Sequence, residues 1–201
     1  MRIFLTGVSC VGKTTIGAEL AAQLRVPFFD VDREIEAFFQ KPIARLQAET
    51  LTIQSYRRKA ATALESLLAR EESWRCVVAL PPSGLMNEYW RVVRTAGAML
   101  VVLEDEPHNV LARIAFYDDD SCPITKELSP VQARRYLRQI KSDANYFRRS
   151  YAKAHLTVHL EGRGVRESAE KVMAAVETHL KKEGMEGWAK RSAASQAERV
   201  R

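Results

Sequence analysis

Short apolar runs and longer segments of helical periodicity alternate along the chain. Each of five apolar runs has the length of a buried strand, and the segments between them place apolar residues three or four positions apart. Strands that alternate with helices in this way predict an α/β fold, with a parallel sheet covered by helices. The five predicted strands are residues 2–6, 28–31, 75–80, 98–103 and 155–160.

Prolines and capping residues set the predicted helix boundaries. Pro27 ends the helix that begins after Lys13, Asp32 is placed to cap the next helix, and Pro107 and Pro130 each begin a later one. The segment 117–128 has no clear periodicity and is predicted to be irregular. The remaining predicted helices are residues 32–39, 53–70, 87–95, 107–116, 130–151 and 165–180.

Composition limits the number of domains and the class of protein. The 201 residues, 46% of them hydrophobic, predict one domain at residues 1–182 and a polar, flexible tail at 183–201. The formal charge of +6 suits anionic ligands such as nucleotides. Three dispersed cysteines without a CxxC pair favour neither a disulfide framework nor a zinc site, and no apolar run is long enough for a signal peptide or a membrane span. We therefore expect a cytoplasmic protein with no membrane partner, and a monomer.

A phosphate-binding motif follows the first predicted strand. Residues 7–14, Gly-Val-Ser-Cys-Val-Gly-Lys-Thr, match GxxxxGK[ST] between a strand and a helix, which is the position that this P-loop motif requires. Backbone N–H groups of such a loop and the helix N-terminus attract phosphate. Lys13 is predicted to reach the β- and γ-phosphates of ATP, and the Thr14 hydroxyl to bind Mg²⁺. The predicted nucleotide-binding residues of the loop are Gly7, Ser9, Cys10, Val11, Gly12, Lys13, Thr14 and Thr15.

Acidic residues that follow two predicted strands are candidates for the chemistry. Asp30 and Asp32 alternate at the end of the second strand, so both carboxylates can face the ligand crevice beside the P-loop. Asp32 has a second interpretation as a plain helix N-cap. Glu104 and Asp105 resemble the acids that hold Mg²⁺ in motor ATPases, or simply enter a turn before Pro107. The chain has no Asn-Lys-x-Asp run, which argues against a GTPase.

These segments together resemble the shikimate kinase family. The resemblance rests on residues 7–15, on Phe29-Asp30-Val31-Asp32 with Ile35-Glu36, and on Tyr56-Arg57, and it extends over about residues 1–180. It implies a P-loop NTPase fold with three α/β/α layers and a five-stranded parallel sheet, of the nucleoside monophosphate kinase type. It also implies an enzyme that uses ATP and Mg²⁺ to phosphorylate a hydroxyl of a small molecule, with a lid at about residues 117–128.

The resemblance also implies roles for individual residues. Asp30 would help to hold Mg²⁺, Asp32 would orient or deprotonate the acceptor hydroxyl, Arg57 would bind an acceptor carboxylate, and Arg113 would stack on adenine. In-line phosphoryl transfer requires such a positioned hydroxyl and such cations. Arg57 has a second interpretation as part of a solvated basic helix face, and Arg113 as a cation at a helix C-terminus. The predicted catalytic residues are Lys13 and Asp32, and the predicted metal ligands are Thr14 and Asp30.

The chain departs from the family pattern at three places. Pro81-Pro82-Ser83-Gly84 replaces a triple glycine that wraps the acceptor, and its two prolines remove backbone donors. Cys122 stands at the position of a lid arginine, beside the acidic run 118–120, and Asp143 stands at the position of an acceptor-binding arginine. Six basic residues of the long helix either replace these cations or form a solvated face: Arg134, Arg135, Arg138, Lys141, Arg148 and Arg149.

The leading hypothesis is therefore a shikimate kinase-like enzyme with an altered acceptor site, which phosphorylates a hydroxyl of a small, anionic metabolite. Gluconate-type kinases are an alternative because their P-loop also begins Gly-Val-Ser, and nucleotide kinases follow, although the acidic lid argues against them. A nucleotide-binding regulator without turnover is a hypothesis from a different class. A nucleic-acid-binding protein ranks last, since only the positive charge supports it.

Overall fold

A parallel sheet forms the centre of the molecule. The computed structural model describes residues 2–117, 123–124 and 127–184. In chain order the strands are β1 (Arg2–Thr6), β2 (Phe28–Asp30), β3 (Val77–Ala79), β4 (Ala98–Glu104), β5 (Phe116–Tyr117), β6 (Pro123–Ile124) and β7 (Leu156–His159). Five of them form one sheet in the order β2-β3-β1-β4-β7, with all pairs parallel. The predicted five-stranded parallel sheet is confirmed.

Helices cover both faces of this sheet. They are α1 (Lys13–Leu24), α2 (Val31–Phe39), α3 (Ile43–Ala48), α4 (Ile53–Ala69), α5 (Asn87–Val93), α6 (Pro107–Ala112), α7 (Pro130–Tyr151) and α8 (Val165–Lys182). Right-handed crossovers place α1 and α8, which pack together, on one face, and α4, α5 and α7 on the other. The result is the predicted three-layer α/β/α arrangement, with the chain leaving β1 at the middle of the sheet.

The central strands carry the core. Phe4 and Leu5 of β1 and the run 101–103 of β4 are completely buried, because strands covered on both faces have apolar residues at successive positions. From one side Leu20 and Val172 pack into this core, and both are also completely buried. The carboxyl ends of β1, β2, β3 and β4 therefore meet at one rigid edge of the sheet, where the P-loop lies.

Local signals start the long helix α7. The Ser129 hydroxyl accepts a hydrogen bond from the backbone N–H of Gln132, while the Gln132 side chain accepts one from the backbone N–H of Ser129. Pro130 occupies the first helical position, where its missing N–H costs nothing. This capping box fixes the start of α7 where it was predicted.

Three local predictions differ from the structure. The segment predicted to be irregular contains β5 and β6, which pair in antiparallel fashion, and their two-residue length is too short to produce a periodic signal. Consequently α6 ends at Ala112 rather than near residue 116. The helix α3 was not predicted.

The central lid residues 118–122, including Cys122, and the tail from residue 185 onward lie outside the described residues. Within the described part of the chain, no helix combines the length and apolar character needed to cross a bilayer.

Candidate active site

Glycines shape the loop between β1 and α1. Gly7 and Gly12 have φ angles of 146° and 110°, a region that side chains rarely adopt. A Cβ atom at Gly7 would also collide with the carbonyl oxygen of Leu103 in the neighbouring strand. Cys10 adopts a φ of 61°, so the tip of the loop is left-handed as well. The predicted P-loop backbone thus requires glycine at both ends of the motif.

Lys13 lies inside this loop. Its Nζ donates hydrogen bonds to the carbonyl oxygens of Gly7 at 3.1 Å and Val8 at 2.9 Å. Desolvation lowers the pKa of Lys13 to about 8, although the nearby carboxylates of Asp32 and Asp30 raise it. The ammonium group therefore lies where a phosphate anion would replace lost solvent, as expected for a P-loop lysine.

Asp30 joins the P-loop helix to the next helix. Its Oδ2 accepts a hydrogen bond from the Thr14 hydroxyl at 2.6 Å, and its Oδ1 accepts one from the backbone N–H of Asp32 at 3.0 Å. Asp30 is therefore the N-cap of α2. The interpretation of Asp32 as the cap is wrong, and so is the placement of Asp32 on a strand, because β2 ends at Asp30 and Asp32 lies in the first turn of α2.

The Thr14 and Asp30 oxygens suit a magnesium ion. Mg²⁺ bound with a nucleotide takes only one or two protein ligands and completes its shell with phosphate oxygens and water. Among residues 2–117, 123–124 and 127–184 there is no cluster of three or more His, Cys, Asp and Glu side chains that would bind a metal alone. A nucleotide-dependent site at Thr14 and Asp30 fits this donor set.

The Asp32 carboxylate faces a cavity rather than the helix backbone. The protein around this cavity desolvates the carboxylate, Asp30 adds repulsion, and together they raise the pKa of Asp32 to about 6 despite the attraction of Lys13. A carboxylate with this pKa is ionised at neutral pH but basic enough to accept a proton. Its environment therefore suits the predicted role.

Asp32 and Arg57 line the same cavity, which has a volume of about 260 Å³. Arg57 comes from α4 and Asp32 from α2, so tertiary packing brings the two predicted acceptor residues together. Arg58, the next residue of α4, is exposed and does not line the cavity. Arg58, rather than Arg57, thus has the position expected of a solvated helix face.

The other cavity walls mix apolar and weakly polar side chains. Pro81, Pro82 and Ser83 come from the loop after β3, and Phe147 comes from α7. Phe147 stacks on Tyr151, with ring centroids 5.6 Å apart. Asp143 is not among the lining residues and accepts a hydrogen bond from the Gln139 side chain instead. The walls also include the phenol groups of Tyr56 and Tyr89 and the amide group of Gln47.

Sequence reasoning missed several of these wall residues. Gln47 belongs to the unpredicted helix α3, and Tyr89 and Phe147 look like ordinary core residues of predicted helices. Burial raises the pKa of Tyr56 to about 12 and also that of Tyr89, so both phenols stay protonated as hydrogen-bond donors. No local signal in the sequence points to such residues, because helices distant in the chain bring them to the cavity.

The basic residues of α7 do not line the acceptor cavity. Lys141 and Arg148 instead line a second, larger cavity of about 640 Å³ beside Val8 of the P-loop. The other four predicted candidates of this helix, Arg134, Arg135, Arg138 and Arg149, are exposed. Within the described residues, none of the six therefore lies in the wall of the cavity that contains Asp32 and Arg57.

Arg113 caps the C-terminus of α6 and turns towards the P-loop. Its Nη1 forms an ion pair with Asp105 at 2.6 Å and lies 3.4 Å from the carbonyl oxygen of Val11. The remaining predicted loop residues, Ser9 and Thr15, are exposed at the mouth of the loop, and the Thr15 hydroxyl donates to the carbonyl of Gly12. All predicted nucleotide residues thus lie at or against one loop.

Comparisons with known proteins agree with this geometry. The profile of a family described as "Shikimate kinase" matches residues 9–177. A shikimate kinase of Chlorobium limicola is 30% identical over 87% of this chain and 85% of its own length. One of Chlorobium phaeobacteroides is 28% identical over 90% of this chain and 88% of its own length.

Solved structures show the same fold. The shikimate kinase of Bacteroides thetaiotaomicron superposes with a TM-score of 0.70 at 23% identity, covering 88% of this chain and 98% of its own. A gluconokinase of Sinorhizobium meliloti gives 0.60 at 18% identity, covering 92% and 95%. The fold is therefore that of P-loop NTPases, as predicted. The protein is an ATP- and Mg²⁺-dependent kinase of a small metabolite, and it belongs to the shikimate kinase family.

Proposed function

We propose that this kinase transfers the γ-phosphoryl group of ATP to a hydroxyl of a small, anionic metabolite whose body is less polar than shikimate. The observation that carries the proposal is the shared cavity of Asp32 and Arg57, which places one base and one cation at the end of the P-loop. A hydroxyl at Asp32 and a carboxylate at Arg57 would both lie within that cavity.

The P-loop would bind and orient the nucleotide. ATP with Mg²⁺ supplies the phosphoryl group and neutralises part of its charge. Lys13 exchanges its hydrogen bonds to Gly7 and Val8 for phosphate oxygens, which restores the solvation that the buried ammonium lacks. Thr14 and Asp30 would hold Mg²⁺, and Arg113 would contribute to the side of the site that binds the base.

Asp32 would act on the acceptor hydroxyl. Its carboxylate accepts the hydrogen bond of the hydroxyl and takes the proton as the new oxygen–phosphorus bond forms, while the bond between the γ-phosphorus and its bridging oxygen breaks. The raised pKa of about 6 places Asp32 in the useful range for this transfer at neutral pH. Because Asp30 already caps the helix, Asp32 has no competing structural bond to the backbone N–H groups of α2.

The cavity walls support an altered acceptor. Pro81 and Pro82 lack the N–H groups that a glycine loop would offer to acceptor hydroxyls. A polyhydroxylated acceptor would leave hydroxyls without partners against these prolines and Phe147, at a cost of about 1–3 kcal/mol for each. A hydroxy acid with fewer hydroxyls avoids this loss, while Arg57 still pairs with its carboxylate.

We also propose that residues 1–182 form the kinase domain, with a lid segment at about residues 117–128 and a tail at 183–201. Cys10 and Cys76 are free thiols, which suits the reducing cytoplasm where we place the enzyme. The domain has its own core, which is consistent with a monomer.

The test is ADP release with ATP and Mg²⁺ against a panel of acceptors. The panel contains shikimate, hydroxy acids with one or two hydroxyls, gluconate, nucleosides and nucleotides, and the Asp32→Asn protein serves as the control for acceptor-independent ATP hydrolysis. We expect the highest kcat/KM with a hydroxy acid that has fewer hydroxyls than shikimate. Highest activity with shikimate would show that the altered-acceptor proposal is wrong. Tight ATP binding without turnover on any acceptor would contradict phosphotransfer itself and favour a regulator.

A further inference from the structure

Asp105, the residue directly after β4, has neither of the two roles that the sequence suggested, a magnesium ligand or a simple turn residue. Asp105 follows Glu104 at the carboxyl end of the strand, but Thr14 pairs with Asp30, so Asp105 is not the acid beside the predicted magnesium ligand. Its side chain is completely buried, which a simple turn residue would not require. A buried carboxylate needs several donors to offset the loss of hydration.

Asp105 receives those donors from three separate segments. Its Oδ1 accepts from the backbone N–H of Glu106 at 2.9 Å, the Asn109 amide at 2.7 Å and the backbone N–H of Gly162 at 3.0 Å. Its Oδ2 accepts from Arg113 Nη1 at 2.6 Å. Burial opposes ionisation, but the hydrogen bonds from Asn109, Arg113 and the two backbone groups lower the pKa of Asp105 overall. The carboxylate therefore stays charged and joins the turn after β4 to the turn after β7.

Arg113 extends this network to the P-loop. While Nη1 pairs with Asp105, it also donates to the Val11 carbonyl at 3.4 Å, and Nη2 donates to the Arg163 carbonyl at 3.3 Å. The Val11 carbonyl and the Gly12 N–H belong to one planar peptide unit and point in opposite directions. Holding that carbonyl towards Arg113 therefore turns the Gly12 N–H away from Arg113.

We propose that Asp105 is a positioning residue for nucleotide binding, which acts through Arg113 on the Val11–Gly12 peptide. Asp105 itself touches no phosphate. It fixes the guanidinium group, and the guanidinium fixes the orientation of a loop N–H that phosphate requires. This role concerns ATP affinity alone and is independent of which acceptor the enzyme uses.

The test is the affinity of the full chain for ATP with Mg²⁺, measured by titration calorimetry without an acceptor. Asp105→Asn keeps the shape and an acceptor oxygen but removes the charge that holds Arg113, and we expect the ATP dissociation constant to rise about tenfold. Glu65→Gln is the matched control, because it makes the same kind of change at an exposed carboxylate of α4, outside the network, and its dissociation constant should stay at the wild-type value.

A second variant separates positioning from loss of stability. Arg113→Lys keeps the charge but loses the planar fork that reaches Asp105 and Val11 together, so it should weaken ATP binding to a similar extent. If Asp105 acts through Arg113, the double variant should bind ATP no more weakly than Arg113→Lys alone. Losses that multiply in the double variant would overturn the proposal. Unchanged ATP affinity with a lowered melting temperature would also overturn it. If Asp105→Asn fails to fold, unchanged affinity in Arg113→Lys decides against the proposal by itself.

Discussion

The nucleotide half and the acceptor half of the site are built in different ways. The nucleotide half is backbone: Gly7 and Gly12 adopt φ angles that favour glycine, and Lys13 bonds to carbonyl groups of its own loop. The acceptor half is made of side chains from α2, α3, α4, α5, α7 and the loop after β3. A backbone site can hardly change without losing phosphate, whereas a side-chain pocket can change one residue at a time. The comparison teaches why the first half can keep its motif while the second half can change, as we propose for this acceptor site.

Electrostatics separates the two halves as well. In the nucleotide half the ammonium of Lys13 lies near the carboxylates of Asp30 and Asp32, so its charge is partly balanced before phosphate arrives. In the acceptor half Arg57 is the single cation among the described residues that line the cavity. Removing one charge should therefore affect the two halves differently, and the following changes test this from the largest expected effect to the smallest.

Lys13→Met should abolish phosphoryl transfer, with a loss of about a thousandfold or more, because no other side chain of the loop supplies that charge to the phosphates. Stability should stay equal or increase, since the variant removes a buried ammonium whose pKa is depressed by desolvation. Steady-state ADP release and thermal unfolding measure the two effects. Lys181→Met, at an exposed lysine near the end of α8, is the control and should match the wild type. Normal turnover in Lys13→Met would remove the distinction between the halves.

Asp32→Asn should reduce kcat about a hundredfold or more while the ATP dissociation constant changes little, because the amide keeps the shape but cannot take the proton. Turnover with the identified acceptor and a separate ATP titration report on the two halves independently. Glu65→Gln, an exposed carboxylate change on α4, should leave both quantities unchanged. If kcat stayed normal, Asp32 would have no role as a base.

Arg57→Gln should raise the KM for an acceptor with a carboxylate about tenfold and leave the KM for ATP unchanged, because one charge-assisted pair is lost. The neighbouring exposed Arg58 offers a closely matched control as Arg58→Gln. Initial rates with each substrate varied in turn provide the comparison. An equal rise in both KM values, or an effect as large in Arg58→Gln, would contradict the assignment of Arg57 to the acceptor half.

The pH dependence should show the smallest effect. With the pKa of Asp32 at about 6, kcat/KM for the acceptor should rise about twofold from pH 6 to pH 8 as the base becomes fully ionised. Stability should move the other way. The pKa of Asp32 in the folded protein lies above 3.8, the value for an unperturbed aspartate. Between pH 3.8 and about pH 6 the unfolded chain has therefore released a proton that the folded chain keeps. As a result, the contribution of Asp32 to stability falls as pH rises.

Urea unfolding of the wild type and Asp32→Asn at several pH values isolates that contribution. The difference in unfolding free energy between the two proteins should change between pH 4 and pH 6 and then level off. A difference that stays constant across this range would mean that the pKa of Asp32 is not raised by its surroundings.

The nucleotide half could be recognised from the sequence because that half is local. A P-loop is a continuous segment between a strand and a helix, so glycine positions and Lys13 identify it without knowledge of packing. The sheet was predictable for a similar reason, since each buried strand is a single apolar run. Asp30 and Asp32 were harder to assign, because two carboxylates two positions apart can each cap the helix, and only the structure selects Asp30.

The acceptor half depends on distant contacts that no local pattern records. Tyr89 and Phe147 reach the cavity from helices far apart in the chain, and their sequence patterns do not distinguish them from core residues. The strands β5 and β6 are too short to be periodic. Asp105 was noticed as an acid after a strand, but its partners Arg113 and Gly162 could be found only after the turns were placed together.

The helix α7 also has a mechanical consequence. Its 22 residues span roughly 33 Å, from the end of the β5–β6 segment to the stacked rings of Phe147 and Tyr151. Phe147 lies near one end, so a rotation of about 5° around this residue would displace Pro130 by about 2 Å. One continuous helix thus connects the wall of the acceptor cavity at Phe147 with the start of α7 after β6, and any tilt of the helix at Phe147 is a larger displacement at Pro130.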